Sequence, residues 1–358
     1  ELAASQQNPD LVFQMDVFFR VTRDAGASFS VLGTGREKHS DNHALWIDPA
    51  NDLHLLAGTD AGLYETFDQG VTWRHFPNLP ISQFYKIAVD NTEPFYNILA
   101  GAQDLGTLFG PSRTMITEGV RNQDWYVPLG ADGYAVAFAP SDSNIAYMEY
   151  QQGYMFRHHR DSNALVHIQP QPGPGEDPDR WNWDTPILIS PHDPARLYVG
   201  SQRVWRSDDK GNAWQAISED LTSAANRYEL EYQGRSWSVD ALHDYGAMSK
   251  YATITALTES PVTEGVLYAG TDDGQIHVSG ESGSQWQSAA ALPSKTSPLF
   301  INDLAASQHD ASTVFAVADG HKLGDFAPYV FVSTDQGKSW RSIAGDLPED
   351  TIAWAIQQ

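Results

Sequence analysis

The chain has 358 residues, of which 41% are hydrophobic and 11% aromatic, so it can bury a sizeable core and is not a disordered protein. Asp and Glu number 46 against 22 Lys and Arg, and the resulting net charge of −24 repels nucleic acid and anionic lipid, which are therefore not expected as partners. The lack of cysteine excludes disulfides, thiolate nucleophiles, iron–sulfur clusters and cysteine zinc sites. No apolar run approaches the roughly 20 residues that cross a bilayer, so membrane insertion is not expected either.

Short strands bounded by turn residues are predicted along the whole chain. Residues 11–16 and 17–22 look like two neighbouring strands, with no strand before them. Residues 351–356 resemble a first strand with nothing after it. Pairing this last strand with the first ones would close a ring of sheets and remove two exposed sheet edges. One complete four-stranded unit is expected, with strands at 253–257, 266–270, 275–279 and from 286 onward.

A turn motif of the form S/T-x-D-x-G-x-x-W recurs along the chain. Complete copies begin at Thr66, Ser207 and Ser333, and weaker copies begin at Thr22 and Ser279. The carboxylate and the hydroxyl can accept backbone N–H groups across a tight turn, the glycine supplies a positive φ, and the aromatic ring packs between neighbouring sheets. We therefore assign these carboxylates a structural role and nominate none of them for catalysis.

The number of repeating units can be derived from the spacing of the aromatic residues that end the motifs. Phe29 and Trp73 lie 44 residues apart, and the 141 residues between Trp73 and Trp214 leave room for two degenerate units of about the same length. The total is seven units. The next interval is longer, and its excess falls in residues 220–250, a polar segment with several Tyr and Trp residues that we predict to be an insertion on one face.

The motif resembles the Asp-box, or BNR, repeat of sialidases, sortilin-like domains and several propeller glycosidases. Longer runs, including 39–49 and 181–194, resemble bacterial sortilin-like BNR proteins, which are often labelled glycosyl hydrolases. The resemblance implies an all-β fold: a single seven-bladed β-propeller over residues 1–358, with Asp-box turns and a ring closed by the C-terminal strand joining the N-terminal blade. It implies function only weakly, and the early Arg-Ile-Pro segment of sialidases is missing.

In a propeller, the loops that lead into the innermost strands share one rim with the turns between the second and third strands. His39, Asp41 and His43 precede such a strand at positions i, i+2 and i+4, and on an extended backbone that period places all three on one face. Two functional readings stay open, a half-site for a divalent metal ion and an acid–base cluster. The alternative is that these are solvated or turn-capping residues.

Further polar and aromatic side chains are expected at the same rim. Crowded carboxylates raise one another's pKa and also bind cations, while an aromatic ring beside carboxylates suits a sugar, because the ring stacks on a pyranose face and the carboxylates accept its hydroxyls. The candidate catalytic carboxylates are Asp41, Asp104, Asp132 and Asp184. The candidate ligand-binding residues are His39, His43, Tyr85, Trp181, Asn182, Trp183, His321 and Asp325.

The leading prediction is a secreted or periplasmic propeller that binds a carbohydrate at this rim. Because the first residue is Glu1 rather than Met, a processed secreted protein or a shortened chain is expected. In the enzymatic form of the prediction, two carboxylates about 5–5.5 Å apart cleave the ligand with retention, or about 6.5–9.5 Å apart with inversion. Two alternatives remain: a non-enzymatic module that holds a peptide or partner protein through the rim and the 220–250 insertion, and a lyase supported by a divalent metal ion at His39, Asp41 and His43.

Overall fold

The computed structural model describes residues 1–33, 37–79, 81–232, 235–236 and 250–358. Within these ranges the chain is almost entirely β, and it forms seven sheets of four antiparallel strands, each sheet built from strands that are consecutive in sequence. The helical residues described are short 3-10 turns at Asn122–Asp124, Arg227–Glu229 and His321–Leu323. No helix in the described ranges has the length and apolar content to span a membrane.

The chain divides into two compact units, residues 1–83 and residues 84–358. Unit 1 contains two of the four-stranded sheets. The first has strands β1 (Leu2–Ala4), β2 (Val12–Met15), β3 (Phe19–Thr22) and β4 (Ser30–Val31), and the second has β5 (Asn42–Asp48), β6 (Asn51–Thr59), β7 (Gly62–Thr66) and β8 (Arg74–His75). The core of unit 1 lies between these sheets, where Phe13 and Val21 pack with Leu55.

Unit 2 contains the other five sheets. Its first two sheets have strands β9 (Lys86–Val89), β10 (Asn97–Ala102), β11 (Gly106–Pro111) and β12 (Tyr126–Leu129), then β13 (Gly133–Phe138), β14 (Ile145–Tyr150), β15 (Tyr154–His159) and β16 (Ala164–His167). The third has β17 (Ile187–Ile189), β18 (Leu197–Gly200), β19 (Val204–Ser207) and β20 (Gln215–Ala216). A two-stranded hairpin follows, with β21 (Glu231–Tyr232) and β22 (Arg235–Ser236). The last two sheets have β23 (Ile254–Glu259), β24 (Leu267–Thr271), β25 (Ile276–Ser279) and β26 (Gln287–Ser288), then β27 (Phe300–Ala306), β28 (Val314–Gly320), β29 (Asp325–Ser333) and β30 (Arg341–Ser342).

The hydrophobic cores of unit 2 lie between consecutive sheets. Tyr147 and Met155 of one sheet, for example, pack with Leu197 and Val199 of the next, and all four are fully buried. The first strands of the five sheets also contact one another in succession, β9 with β13, β13 with β17, β17 with β23 and β23 with β27. This packing brings the loops that lead into the five first strands close together.

The recurring turn motif has the hydrogen bonds that its residue types predict. In the copy at Thr66, the Asp68 carboxylate accepts bonds from the Thr66 hydroxyl at 2.7 Å and from the Thr72 backbone N–H at 2.8 Å. Gly70 has a φ of 86° and donates its N–H to the Thr66 hydroxyl at 2.9 Å. The Trp73 indole N–H bonds to the Gly70 carbonyl at 3.1 Å. The carboxylate is therefore engaged in hydrogen bonds within the turn, in agreement with the structural role assigned to it.

Two expectations about the ends of the chain are wrong. The first sheet has its own first strand, because β1 pairs with β2 in the register Ala3 with Phe13. Residues 351–356 form no strand. Polar side chains of β27 hold them instead: Asn302 Nδ2 donates to the Ala353 carbonyl at 3.1 Å, and the Ile356 N–H donates to Asp303 Oδ2 at 3.0 Å. These side-chain bonds take the place of a backbone ladder, so the predicted C-terminal strand is not formed.

The predicted insertion at 220–250 is only partly described. Its described part contains the 3-10 turn at Arg227–Glu229 and the β21–β22 hairpin, and Tyr228 is exposed there. Trp237 and Tyr245, which suggested a contact surface for a partner, lie outside the described residues. The role of the insertion in binding a partner therefore stays a prediction.

Candidate functional site

One edge of unit 2 gathers polar side chains from all five of its sheets. We define this polar edge as the loops leading into the first strands together with the turns between the second and third strands, which lie at the same end because the strands are antiparallel. Hydrogen bonds connect these loops and turns, two of them between neighbouring sheets and two within one sheet. They run from Asp104 N to Asp132 Oδ1 (3.1 Å), from Asp132 N to Gln151 Oε1 (3.1 Å), from Gln152 N to the Trp183 carbonyl (3.3 Å), and from Arg180 N to Gln202 Oε1 (2.8 Å).

Lys86 and Asp184 form an ion pair on this edge. Lys86 begins β9 and Asp184 lies three residues before β17, and the Lys86 Nζ to Asp184 Oδ2 distance is 3.6 Å. The side chains are 45% and 32% exposed, so a ligand can reach both. Burial among protein atoms raises the pKa of Asp184, and the Lys86 ammonium opposes that rise. Burial also raises the pKa of Asp303 in β27, and this rise is opposed first by the Ile356 N–H and then by the Lys86 ammonium, so one ammonium acts on carboxylates from two other sheets.

Two tyrosines and a tryptophan lie beside this ion pair. The Tyr85 and Tyr134 hydroxyls both donate to Gln103 Oε1, at 2.7 and 3.1 Å, and their ring centroids are 4.9 Å apart. Burial raises the pKa of Tyr134, and the charges of Asp132 and Asp184 raise it further, while a hydrogen bond with Trp183 lowers it. Tyr85 is about half exposed, whereas Tyr134 is buried. The edge thus presents an aromatic surface next to carboxylates.

The buried Glu149 holds the backbone at Asp184. Its Oε1 accepts N–H groups from Gly153 at 3.0 Å and Thr185 at 3.3 Å, and its Oε2 accepts the Ala135 N–H at 3.4 Å. The side chain is fully buried in β14, and burial followed by the charge of Asp184 raises the pKa of Glu149 well above its usual value. Because Thr185 follows Asp184 directly, Glu149 fixes the chain from which the Asp184 carboxylate projects.

Asn182 and two aspartates form a second, buried group at the edge. Asn182 Nδ2 donates to Thr253 Oγ1 at 2.9 Å and to Asp272 Oδ2 at 3.4 Å, and Asp272 Oδ1 also accepts the Thr253 N–H at 2.8 Å. Burial raises the pKa of Asp272 to about 6. Asp273 accepts the Ser223 N–H at 2.7 Å. Asn182, predicted to bind ligand, therefore joins two sheets of unit 2 through its side-chain amide.

Trp181 and Asp325 are held by local contacts. Trp181 is buried in the core between the sheets of β13–β16 and β17–β20. The Asp325 carboxylate accepts bonds from the Thr296 and Tyr329 hydroxyls and from the Ala327 N–H, and these bonds lower its pKa, the Thr296 bond most of all. Both side chains are thus engaged in packing or in a turn, and ligand binding by them stays a prediction.

The structure does not assemble the metal site predicted in unit 1. Asp41 has a φ of 56°, in the left-handed region, and β5 begins only at Asn42, so the extended backbone assumed for 39–43 is wrong. His39 Nδ1 lies 3.1 Å from the Ser40 carbonyl, and His43 Nε2 lies 2.5 Å from Asp60 Oδ1. Among the described residues no group of three or more His, Asp or Glu side chains is placed to hold a metal ion. An acid–base role for these residues stays a prediction.

The four candidate catalytic carboxylates fall into two sets. Asp104, Asp132 and Asp184 all lie on the polar edge of unit 2. The charges of Asp132 and Asp184 both raise the pKa of Tyr134. Asp41 belongs to unit 1. Sequence reasoning missed Lys86, Glu149, Tyr134 and Gln103. A signal existed only for Glu149, which is a charged residue among apolar neighbours.

No family of known proteins matches the chain, and no curated protein matches it. Among solved structures, it is similar to the GH74 enzyme of Niastella koreensis, with 13% identity, a TM-score of 0.29 and coverage of 95% of this chain and 64% of that one. The GH74 xyloglucanase from Xanthomonas campestris matches with 12% identity, a TM-score of 0.29 and coverage of 95% and 72%. The computationally designed Ika8 protein matches with 15% identity, a TM-score of 0.38 and coverage of 84% and 74%. The chain spans just under two thirds of the Niastella enzyme, and at these identities the likeness assigns no activity to it.

Proposed function

We propose that this protein binds a carbohydrate on the polar edge of unit 2, with the ligand lying over Lys86 and Asp184. The observation that carries the proposal is this partly exposed ion pair, 3.6 Å between Nζ and Oδ2, beside the half-exposed Tyr85 ring. Carboxylates accept sugar hydroxyls, an ammonium donates to them, and an aromatic ring covers the apolar face of a pyranose. The three groups together match the chemistry of a sugar.

The site is built on strands and fixed by buried polar contacts, so little has to be ordered when a ligand arrives. Gln103 accepts both tyrosine hydroxyls, and Glu149 accepts the N–H that follows Asp184. Side chains held in this way lose little conformational freedom on binding. This favours the selective recognition of hydroxyl positions over a loose electrostatic contact.

In the enzymatic form of the proposal, Asp184 is the general acid that donates a proton to the ligand. Burial raises its pKa, which is the direction that suits a general acid that protonates a glycosidic oxygen. Asp132 is the second carboxylate of the pair and acts as nucleophile or base. Hydrolysis breaks the bond between the anomeric carbon and the bridging oxygen, with water supplying the hydroxyl at the anomeric carbon and the proton that restores the acid.

The proposal also covers the architecture of the protein and its location. The regular spacing of the turn motif and the identical strand order of the seven sheets support one seven-bladed propeller. We also propose a secreted or periplasmic location, which the resemblance to BNR proteins supports. An experimental structure tests the first statement, and fractionation of the producing cells tests the second.

The binding proposal is tested with a panel of immobilised neutral polysaccharides and the full chain. We expect at least one to retain the wild type, and the variants Asp184→Asn and Lys86→Met to be retained at least about tenfold less. Asp208→Asn is the matched control, because Asp208 is also an aspartate in an ion pair but lies away from the site. Equal retention of all four proteins, or retention of none, contradicts the proposal. Release of reducing ends from the retained polysaccharide separates cleavage from binding alone.

A further inference from the structure

Asp319 and His321 form a hydrogen-bonded pair at the end of β28. Asp319 is 2% exposed, and its Oδ1 contacts His321 Nδ1 and also accepts the His321 backbone N–H at 3.1 Å. Its Oδ2 is buried and makes no hydrogen bond within the part of the chain that the structure describes. A buried carboxylate that is only half paired is costly, so the imidazole is its principal partner.

This pair fixes the orientation of the histidine. With the Nδ1 side turned to a carboxylate, the ring carries its proton there, and Nε2 is left as an acceptor. The His321 side chain is 33% exposed, and the described residues offer Nε2 no hydrogen-bond partner. A ligand can therefore meet an imidazole nitrogen whose position and tautomer are already set.

Trp354 lies against the same histidine. The two ring centroids are 5.8 Å apart with the planes tilted by 57°, and Trp354 is 58% exposed. Its backbone is fixed although it belongs to no strand, because the neighbouring Ala353 carbonyl accepts from Asn302 and the Ile356 N–H donates to Asp303. A large aromatic face is therefore held in solvent at a defined place, which is a common feature of contact residues.

Asp303 connects His321 and Trp354 to the Lys86–Asp184 ion pair described above. It anchors Ile356, two residues from Trp354, and it also lies within the electrostatic reach of the Lys86 ammonium. Asn302 precedes it, and the Oδ1 atom of Asn302 is buried without a partner among the described residues. His321 and Trp354 thus belong to the same region of unit 2 as the Lys86–Asp184 ion pair.

We propose that Trp354 and His321 form a further carbohydrate subsite, in which Trp354 stacks on the apolar face of a pyranose and His321 Nε2 accepts a hydrogen bond from one of its hydroxyls. Asp319 is the positioning residue that holds the imidazole. The inference rests on the proposed function, and it adds the requirement that the ligand is an oligosaccharide long enough to contact this subsite and the Lys86–Asp184 pair together.

The test measures binding of the polysaccharide that best retains the wild type, by calorimetric titration of the full chain. We expect Trp354→Ala and His321→Ala each to weaken binding roughly tenfold. Trp46→Ala is a closely matched control, because Trp46 is also an exposed tryptophan whose ring lies beside a histidine, 5.3 Å from His54. It is expected to bind like the wild type.

The outcomes separate this inference from the proposed function. If Asp184→Asn loses binding while Trp354→Ala and His321→Ala stay within twofold of the wild type, the subsite is refuted and the proposed function stands. If the wild type binds no polysaccharide, both fall. If the Trp354 change abolishes capture of a peptide from a random library but leaves the polysaccharide unaffected, the ligand class is wrong.

The positioning role of Asp319 has its own readout. In the wild type, nitrogen chemical shifts of the His321 side chain should report a proton on Nδ1, and in Asp319→Asn the two tautomers should become more equally populated. A purely structural role for Asp319 would leave the tautomer unchanged. That result would overturn the assignment even if binding were weakened.

Discussion

At the scale of single residues, the site depends on carboxyl groups whose surroundings act in opposite directions. Burial raises the pKa of Asp184 and the Lys86 ammonium lowers it, with burial the larger influence. No cation acts on Glu149 among the described residues, but three backbone N–H groups favour its ionised form against burial. The partly exposed carboxyl of Asp184 is therefore suited to exchanging a proton with a ligand, whereas the buried carboxyl of Glu149 is suited to holding the backbone.

Glu149→Gln should change the pH dependence of stability. The folded-state pKa of Glu149 lies above the unfolded value of 4.5, so the folded state binds the proton more tightly, and its stability falls as the pH rises from 4.5 through the folded pKa. The amide cannot ionise, and it can still accept the two N–H groups that meet Oε1. Urea unfolding at a series of pH values should therefore show a flatter profile for this variant than for the wild type.

Glu149→Ala is the companion to this variant. It leaves three buried N–H groups without an acceptor and should destabilise the protein at every pH, by about 1–3 kcal/mol for each group that water does not reach. A Gln variant with the wild-type slope, or an Ala variant as stable as the wild type, would show that Glu149 does not support the site.

At the scale of elements, the turn motif is the feature that sequence predicts best. The hydrogen bonds of its carboxylate, its hydroxyl and its glycine N–H join residues within four positions of one another, so local residue types decide the geometry of the turn. The hydrogen bonds to the Asp68 carboxylate, above all those from Thr72, lower its pKa to about 2. The folded state therefore gains stability from the ionised carboxylate above the unfolded-state pKa of 3.8 and loses it as the pH falls through about 2.

Asp68→Ala should lower the melting temperature near neutral pH and have progressively less effect as the pH approaches 2. The carboxylate is close to solvent, so a modest change of a few degrees is expected. Asp10→Ala, at an exposed aspartate of the same unit, serves as the control and should melt like the wild type. A melting temperature that falls equally in both variants would mean that the motif has no special structural role.

Elements were harder to predict where the signal is short or depends on distant residues. The strand β1 has only three residues, too few to show alternation, whereas the apolar residues of 351–356 have a strand-like pattern without a partner. Aspartate adopts the left-handed region more often than most residues, but no local pattern in residues 39–43 signals that Asp41 does so. Lys86 and Asp184 lie in different sheets, so their meeting depends on sheet packing that no local pattern contains.

At the scale of the whole molecule, the net charge of −24 affects which ligands can approach. Like charges repel over about 10 Å at moderate ionic strength, so the protein repels an acidic polysaccharide but not a neutral one. Lys86 supplies one local positive charge, which does not offset the surplus. The polar edge should therefore select neutral sugars.

The charge predicts a salt dependence that differs between ligand classes. Raising sodium chloride from about 20 to 300 mM should strengthen the weak binding of polygalacturonate, because salt screens the repulsion, and should change the binding of a neutral xylan little. Titrations of both polymers at the two salt concentrations check this. Stronger binding of the acidic polymer at low salt would mean that a basic surface outweighs the net charge at the site.

The most direct test of the central claim is calorimetric titration of the wild type and Asp184→Asn with the neutral oligosaccharide selected from the panel. The account predicts saturable binding by the wild type and at least a tenfold weaker association for the variant, with unchanged melting temperatures. Identical association constants for the two proteins would contradict it, because the ligand would then be bound away from the Lys86–Asp184 pair.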